Sequence, residues 1–108
     1  MFRFLKPNFI CKQYNKYRLP SFKSDIFLIE WNPHARGEIH GHDNKDCNYI
    51  ILKGPLFEKR YFKNNESDSE SEILVYNNFD RGFINDSIGK HRMINFSKYK
   101  KWSIHRYS

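Results

Sequence analysis

Cysteine is scarce: Cys11 and Cys47 are the only two in 108 residues. Two are too few for a disulfide framework, so an intracellular, reduced protein is expected. No run of about 18 apolar residues occurs, so no transmembrane helix is expected. The opening MFRFLKPNFICK is too short and too interrupted for a secretory signal. A cytoplasmic location without membrane association follows as the expectation. Internal repeats are absent, and nothing suggests a second domain. The length sits toward the small end of the range in which one core suffices. A single domain over 1–108 is expected, with 1–24 as a basic N-terminal segment and 25–108 as the folded body.

Acidic residues are missing from both ends. The first 24 residues carry six Lys or Arg and no acid, and residues 90–108 carry another six with none. The stretch between holds seven basic and twelve acidic residues. A net charge of +7 with interleaved Phe, Tyr and Trp suits nucleic acid or an acidic surface. The plainer reading, a solvated exterior with basic termini, ranks above it. Nucleic acid is therefore not the expected partner.

Aromatic residues are plentiful at 18%, and with many isoleucines they favour strands over helices. Short alternating segments bounded by turn residues predict strands over Asp25–Trp31, Tyr49–Lys53, Leu56–Tyr61, Ile73–Tyr76, Gly82–Asn85, Arg92–Asn95 and Trp102–Tyr107. Gly54 and Pro55 mark a tight connection. The acidic run from Asn64 to Glu72 reads as a low-complexity loop between two strands. An all-β body is the result.

Histidine is the residue type with functional weight. His40 and His42 stand one residue apart, and His91 lies roughly fifty residues downstream. On a strand such a pair points to one side together while Gly41 points away. Neutral imidazole nitrogens are good donors to divalent iron, zinc, nickel or copper. Three of them on one face of a small β-barrel would hold an ion with coordination positions left open. His34, in the WNPHARGE turn, reads as a loop residue. His105 lies between Ser103 and Tyr107 at period two, so these three share a face while Trp102, Ile104 and Arg106 take the other. Serine, imidazole and phenol aligned in this way form a hydrogen-bond relay that can orient the phenol.

The stretch IHGHDNKDCNYIILKG, Ile39 to Gly54, resembles the first motif of cupins, and in detail that of cysteine dioxygenases. The pair is His40 and His42, Gly54 is the closing glycine, and Cys47 stands where most cupins carry a glutamate ligand. FINDSIGKHRMIN, Phe83 to Asn95, is similar to the second motif, with His91 and Asn95 in place. The closing SIHRYS resembles the family's final active-site strand. The resemblance implies a cupin-type double-stranded β-helix with Fe(II) on His40, His42 and His91. Its reaction would be oxidation of L-cysteine by dioxygen to cysteine sulfinate.

The same resemblance implies roles for further residues. Ser103, His105 and Tyr107 would be catalytic, and Cys47 and Tyr107 would form a thioether cross-link during turnover. The family holds the substrate carboxylate with an arginine upstream of the first motif, often in a Tyr-x-Arg element. Arg18 is the best match for that clamp, with the Tyr107 hydroxyl as a second contact and Arg36, Arg60 and Arg81 as alternatives. Gln13 keeps 3-mercaptopropionate open as a substrate. A cupin that binds metal for sensing or interaction without turnover is the reading from a different class. Family members extend beyond the Ser-x-His-x-Tyr segment, so an unpaired barrel edge at the C-terminal strand is expected, in a monomer or a homodimer.

Overall fold

A computed structural model describes residues 9–10, 13–42, 44–62 and 71–108. Among these, nine strands and no helix occur: β1 Phe9–Ile10, β2 Tyr14–Leu19, β3 Asp25–Trp31, β4 Cys47–Lys53, β5 Leu56–Phe62, β6 Ser71–Tyr76, β7 Arg81–Ile84, β8 Gly89–Ile94 and β9 Lys101–Tyr107. They form a six-stranded sheet in the order β1-β2-β3-β9-β4-β7 and a three-stranded sheet in the order β6-β5-β8. Neighbouring strands in both sheets pair antiparallel, with Cys47, Asn48 and Tyr49 opposite Tyr107, Arg106 and His105. The Gly54–Pro55 peptide joining β4 to β5 is cis. Cys11 and most of the acidic run, residues 63–70, lie outside the described residues.

Alternation decides which side chains enter the core. Along β9, Lys101, Ser103 and His105 are buried while Trp102 and Ile104 are half-buried and Arg106 is exposed. Cys47, Tyr49 and Ile51 are buried in the same rhythm on β4. They pack with Ile29, Trp31, Leu56, Tyr76, Ile84 and Met93 in the cluster between the sheets. Asn95, wholly buried, ties the end of β8 to the end of β3 by donating to Asn32 O at 3.0 Å and to Tyr99 O at 2.8 Å. The asparagine of the second motif thus acts as a structural staple.

Two sequence expectations shift. The basic N-terminal segment contributes β2, a full partner of β3 from Tyr14↔Trp31 to Leu19↔Ile26. Lys16 and Arg18 alternate along it with Asn15, Tyr17 and Leu19, a pattern that a count of charges does not register. The strand β9 also has a neighbour on both sides, since Tyr107 pairs with Asp25 of β3 and with Cys47 of β4. The expected unpaired flank does not lie at β9; among the described residues the outer strands of the large sheet are β1 and β7.

Gly82 shows how closely the core is fitted. A Cβ at this position would lie 2.2 Å from Cε2 of Tyr49, a ring held by hydrogen bonds to Glu58 and Tyr76. Gly82→Ala should therefore cost about 1–3 kcal/mol through overpacking. Chemical denaturation checks this, and a variant as stable as the parent would mean that the Tyr49 ring is free to move.

Candidate metal centre and active-site cavity

His40, His42 and His91 offer one nitrogen each within 4.8 Å of one another. Their ring centroids are 4.6, 4.7 and 5.0 Å apart. His91 belongs to β8, which begins at Gly89, three residues before the Arg92 start that the sequence pattern predicts. His40 and His42 do not lie on a regular strand. They sit on an extended segment joined to β8 by an isolated bridge, with His40 N–H donating to His91 O at 3.0 Å and His91 N–H to His40 O at 3.1 Å. Local extension suffices to aim both rings the same way.

A carboxylate absent from the sequence reading holds this segment in place. Asp86, in the turn between β7 and β8, accepts from His42 N–H at 2.6 Å and from Asn44 N–H at 2.8 Å. Asn44 adopts φ 64°, a left-handed conformation that asparagine tolerates better than most residues. The two amides hold the exposed Asp86 carboxyl below its usual pKa.

The donor atoms fit a cation. His40 Nδ1 faces Glu38 O at 2.9 Å and His91 Nδ1 faces Glu58 Oε2 at 2.5 Å. Both facing atoms are oxygen acceptors, so these Nδ1 atoms carry hydrogens and leave the two Nε2 atoms to face an ion. Those Nε2 atoms are 3.1 Å apart. Two nitrogens about 2.1 Å from one first-row divalent ion, roughly at right angles, lie about 3 Å apart. His42 is 4% exposed and neither of its ring nitrogens has a hydrogen-bond partner. A buried imidazole without a partner is costly, and a bound ion would satisfy it. Burial, followed by the neighbouring His91 and His40, pushes the His42 pKa down to about 4. Desolvation and His91 lower that of His40 as well. Neutral rings are the ligating form.

The histidines form one wall of a cavity of about 370 Å³ whose other walls include Tyr14, Lys16, Phe27, His105 and Tyr107. Cys47 and Tyr107 are directly opposite on β4 and β9, and each side chain shifts the other's titration. Burial pushes the Cys47 thiol up to about 12 and raises Tyr107 too. Tyr107 also stacks on His42, with centroids 6.1 Å apart. Behind this pair, Trp31 Nε1–H donates to Ser103 Oγ at 2.9 Å, and Ser103 Oγ lies 2.8 Å from His105 Nε2. His105 Nδ1 lies 3.9 Å from Cys47 Sγ. The relay from Ser103 thus reaches the cysteine, where the sequence reading aimed it at the phenol. Desolvation holds the buried His105 well below its usual pKa, so it is neutral.

Arg18 is placed elsewhere. Its side chain is 55% exposed and does not line the cavity, although it meets Oδ1 of Asp25, a lining residue, at 2.7 Å. Arg36, Arg60 and Arg81 do not line the cavity either, and Gln13 spends its Oε1 on Arg36 N–H at 2.7 Å. The cations lining it are Lys16 and Lys45. Lys16 Nζ stands 4.2 Å from the Phe27 ring centroid and 5.4 Å from that of Tyr107. Burial lowers its pKa, countered by Cys47 and Asp25. Tyr14-x-Lys16 has the spacing of the family's Tyr-x-Arg element with lysine in the last position, which a search for arginine passes over.

Comparison with known proteins agrees with this geometry. Cupin domains share the fold: the Drosophila melanogaster CENP-C cupin domain has a TM-score of 0.75 at 10% identity, covering 93% of this chain and 73% of that one. Oxalate oxidase in complex with the substrate analogue glycolate has a TM-score of 0.66 at 14% identity, covering 78% and 41%. Human cysteine dioxygenase type 1 is 34% identical over 91 residues, 80% of this chain and 45% of its own length. The Bos taurus protein of that name is 33% identical over the same shares. The chain thus spans about half the length of these relatives. The family model for cysteine dioxygenase type I matches residues 7–108, and the chain belongs to that family.

Proposed function

We propose that the chain carries an Fe(II)-dependent thiol dioxygenase centre that converts L-cysteine to cysteine sulfinate. The observation that carries this reading is the convergence of three imidazoles, Lys16 and Tyr107 on one cavity, with Cys47 directly across from Tyr107 on the neighbouring strand. Three nitrogen donors on one face suit ferrous iron with open positions. When bound, iron would lower the pKa of the substrate thiol and bring the thiol and dioxygen together. Overall, R–SH and O2 give R–SO2H. Both oxygen atoms end on sulfur, the proton ends on the sulfinate or in solvent, and four electrons pass from sulfur to dioxygen, so no external reductant is needed.

The chain's own residues bind and orient. Lys16 holds the substrate carboxylate from the wall opposite the histidines, as a point charge where an arginine would grip with a fork. Tyr107, whose ring stacks on His42 and faces Cys47 across the strands, offers its hydroxyl as the second contact. His105, locked by Ser103, supports Cys47 from behind. Oxygen uptake by iron-loaded protein tests the reading, with L-cysteine expected to outpace 3-mercaptopropionate. Full iron occupancy without oxygen uptake on either thiol would favour a metal-binding cupin that does not turn over.

The Cys47–Tyr107 pairing supports a thioether as well. Joining Cys47 Sγ to the ring carbon beside the phenol oxygen removes one hydrogen from each side chain, with dioxygen as oxidant. After repeated turnover, mass spectrometry should find a species lighter by two hydrogen atoms, absent in Cys47→Ser and in Tyr107→Phe. Sulfinate production with no such species would reject the cross-link and leave the dioxygenase reading standing.

A further inference from the structure

We infer that Glu58 is a positioning residue for the metal centre, making His91 its strongest donor and setting that ring apart from His40 and His42. The inference rests on the three-histidine reading above. Glu58 lies on β5 and is fully buried, and His91 is 1% exposed. Oε2 accepts from His91 Nδ1–H and from the Tyr49 hydroxyl. Oε1 accepts from the Tyr76 hydroxyl at 2.6 Å and from Arg60 Nε–H at 3.0 Å. Four donors from β4, β5, β6 and β8 thus fix a single carboxylate. Arg60 anchors it further by donating to Phe83 O at 2.6 Å on β7.

A buried carboxylate with this much support is expensive to build as a core device, because apolar residues of similar volume fill such a space without desolvating a charge. Its geometric effect is specific. An anion on Nδ1–H fixes the His91 tautomer and ring plane and makes Nε2 more basic. His40 has only the neutral Glu38 carbonyl in the equivalent place, and His42 has no partner on either nitrogen. The three ligands are therefore graded. His91, on a regular strand and backed by an anion, anchors the ion, and the segment carrying His40 and His42 closes onto it.

Cobalt(II) is a suitable probe, because binding is read optically and without turnover. Glu58→Gln should weaken Co(II) binding ten- to hundredfold, as loss of outer partners does elsewhere, and should shift the ligand-field bands. Tyr76→Phe removes a donor from the same carboxylate without touching His91, so its affinity should stay near that of the parent. Wild-type affinity and bands in Glu58→Gln would overturn the inference, whereas a parent protein that fails to bind Co(II) would overturn the three-histidine reading itself. A measurement on the parent keeps the question decidable if Glu58→Gln does not fold. In the Zn(II)-loaded protein the His91 Nδ1–H proton should resonate furthest downfield among the ligand imidazoles. A His91 signal no further downfield than that of His40 would contradict the role given to Glu58.

Discussion

Protein carrying His91→Ala should emerge from reconstitution with Fe(II) essentially free of iron and unable to oxidise cysteine. Loss of an outer partner of a ligand already costs about 10- to 100-fold in affinity, and loss of a direct ligand from a set of three should cost more. His91 is also the ring that the fold holds most firmly, through Glu58 on one nitrogen and the β8 ladder along its backbone. Elemental analysis after gel filtration reads the outcome, with circular dichroism confirming the strands. The double variant His40→Ala, His42→Ala should behave in the same way. Full iron in either variant would place the metal elsewhere.

Lys16→Ala should raise the KM for cysteine at least thirtyfold with iron content unchanged, whereas Arg18→Ala should change it little. Removing one partner of a buried charge pair commonly costs about 2–5 kcal/mol, and Lys16 is half-buried in the cavity wall. Arg18 and Asp25 form an exposed pair at the surface, and such pairs are worth about 1 kcal/mol or less. Lys16→Arg should keep much of the affinity, since the charge is retained. The reverse order of effects, with Arg18 strong and Lys16 neutral, would restore Arg18 as the clamp.

The residues that sequence patterning located well are those with a spacing that strand geometry reads directly. His40 and His42 one apart, and Ser103, His105 and Tyr107 at period two, needed only alternation to share a face. Asp25–Trp31 was read to the residue because its turn-forming flank and apolar run coincide with the ladder to β9. Arg18 does not line the cavity, and proximity along the chain says nothing about which end of β2 reaches it. Lys16 faces in two residues earlier, and Arg18, on the same side, has already left the wall. Glu58 was passed over for a different reason. Its one local signal is a carboxylate at an inward position, two residues after the buried Leu56, and three of its four donors come from other strands that only the tertiary fold brings to it. Asp86 is similar, reaching His42 and Asn44 across more than forty residues of chain. The position of β9 between β3 and β4 is a property of topology, which no local pattern encodes.

A single-turnover reaction of the iron-loaded protein with L-cysteine under 18O2, read by mass spectrometry of the product, tests the central claim most directly. The expected product is cysteine sulfinate with both oxygen atoms labelled, formed without added reductant and lost in His91→Ala. Protein that holds one equivalent of iron yet leaves cysteine unoxidised, or yields sulfinate carrying oxygen from water, would contradict a dioxygenase centre on these three histidines.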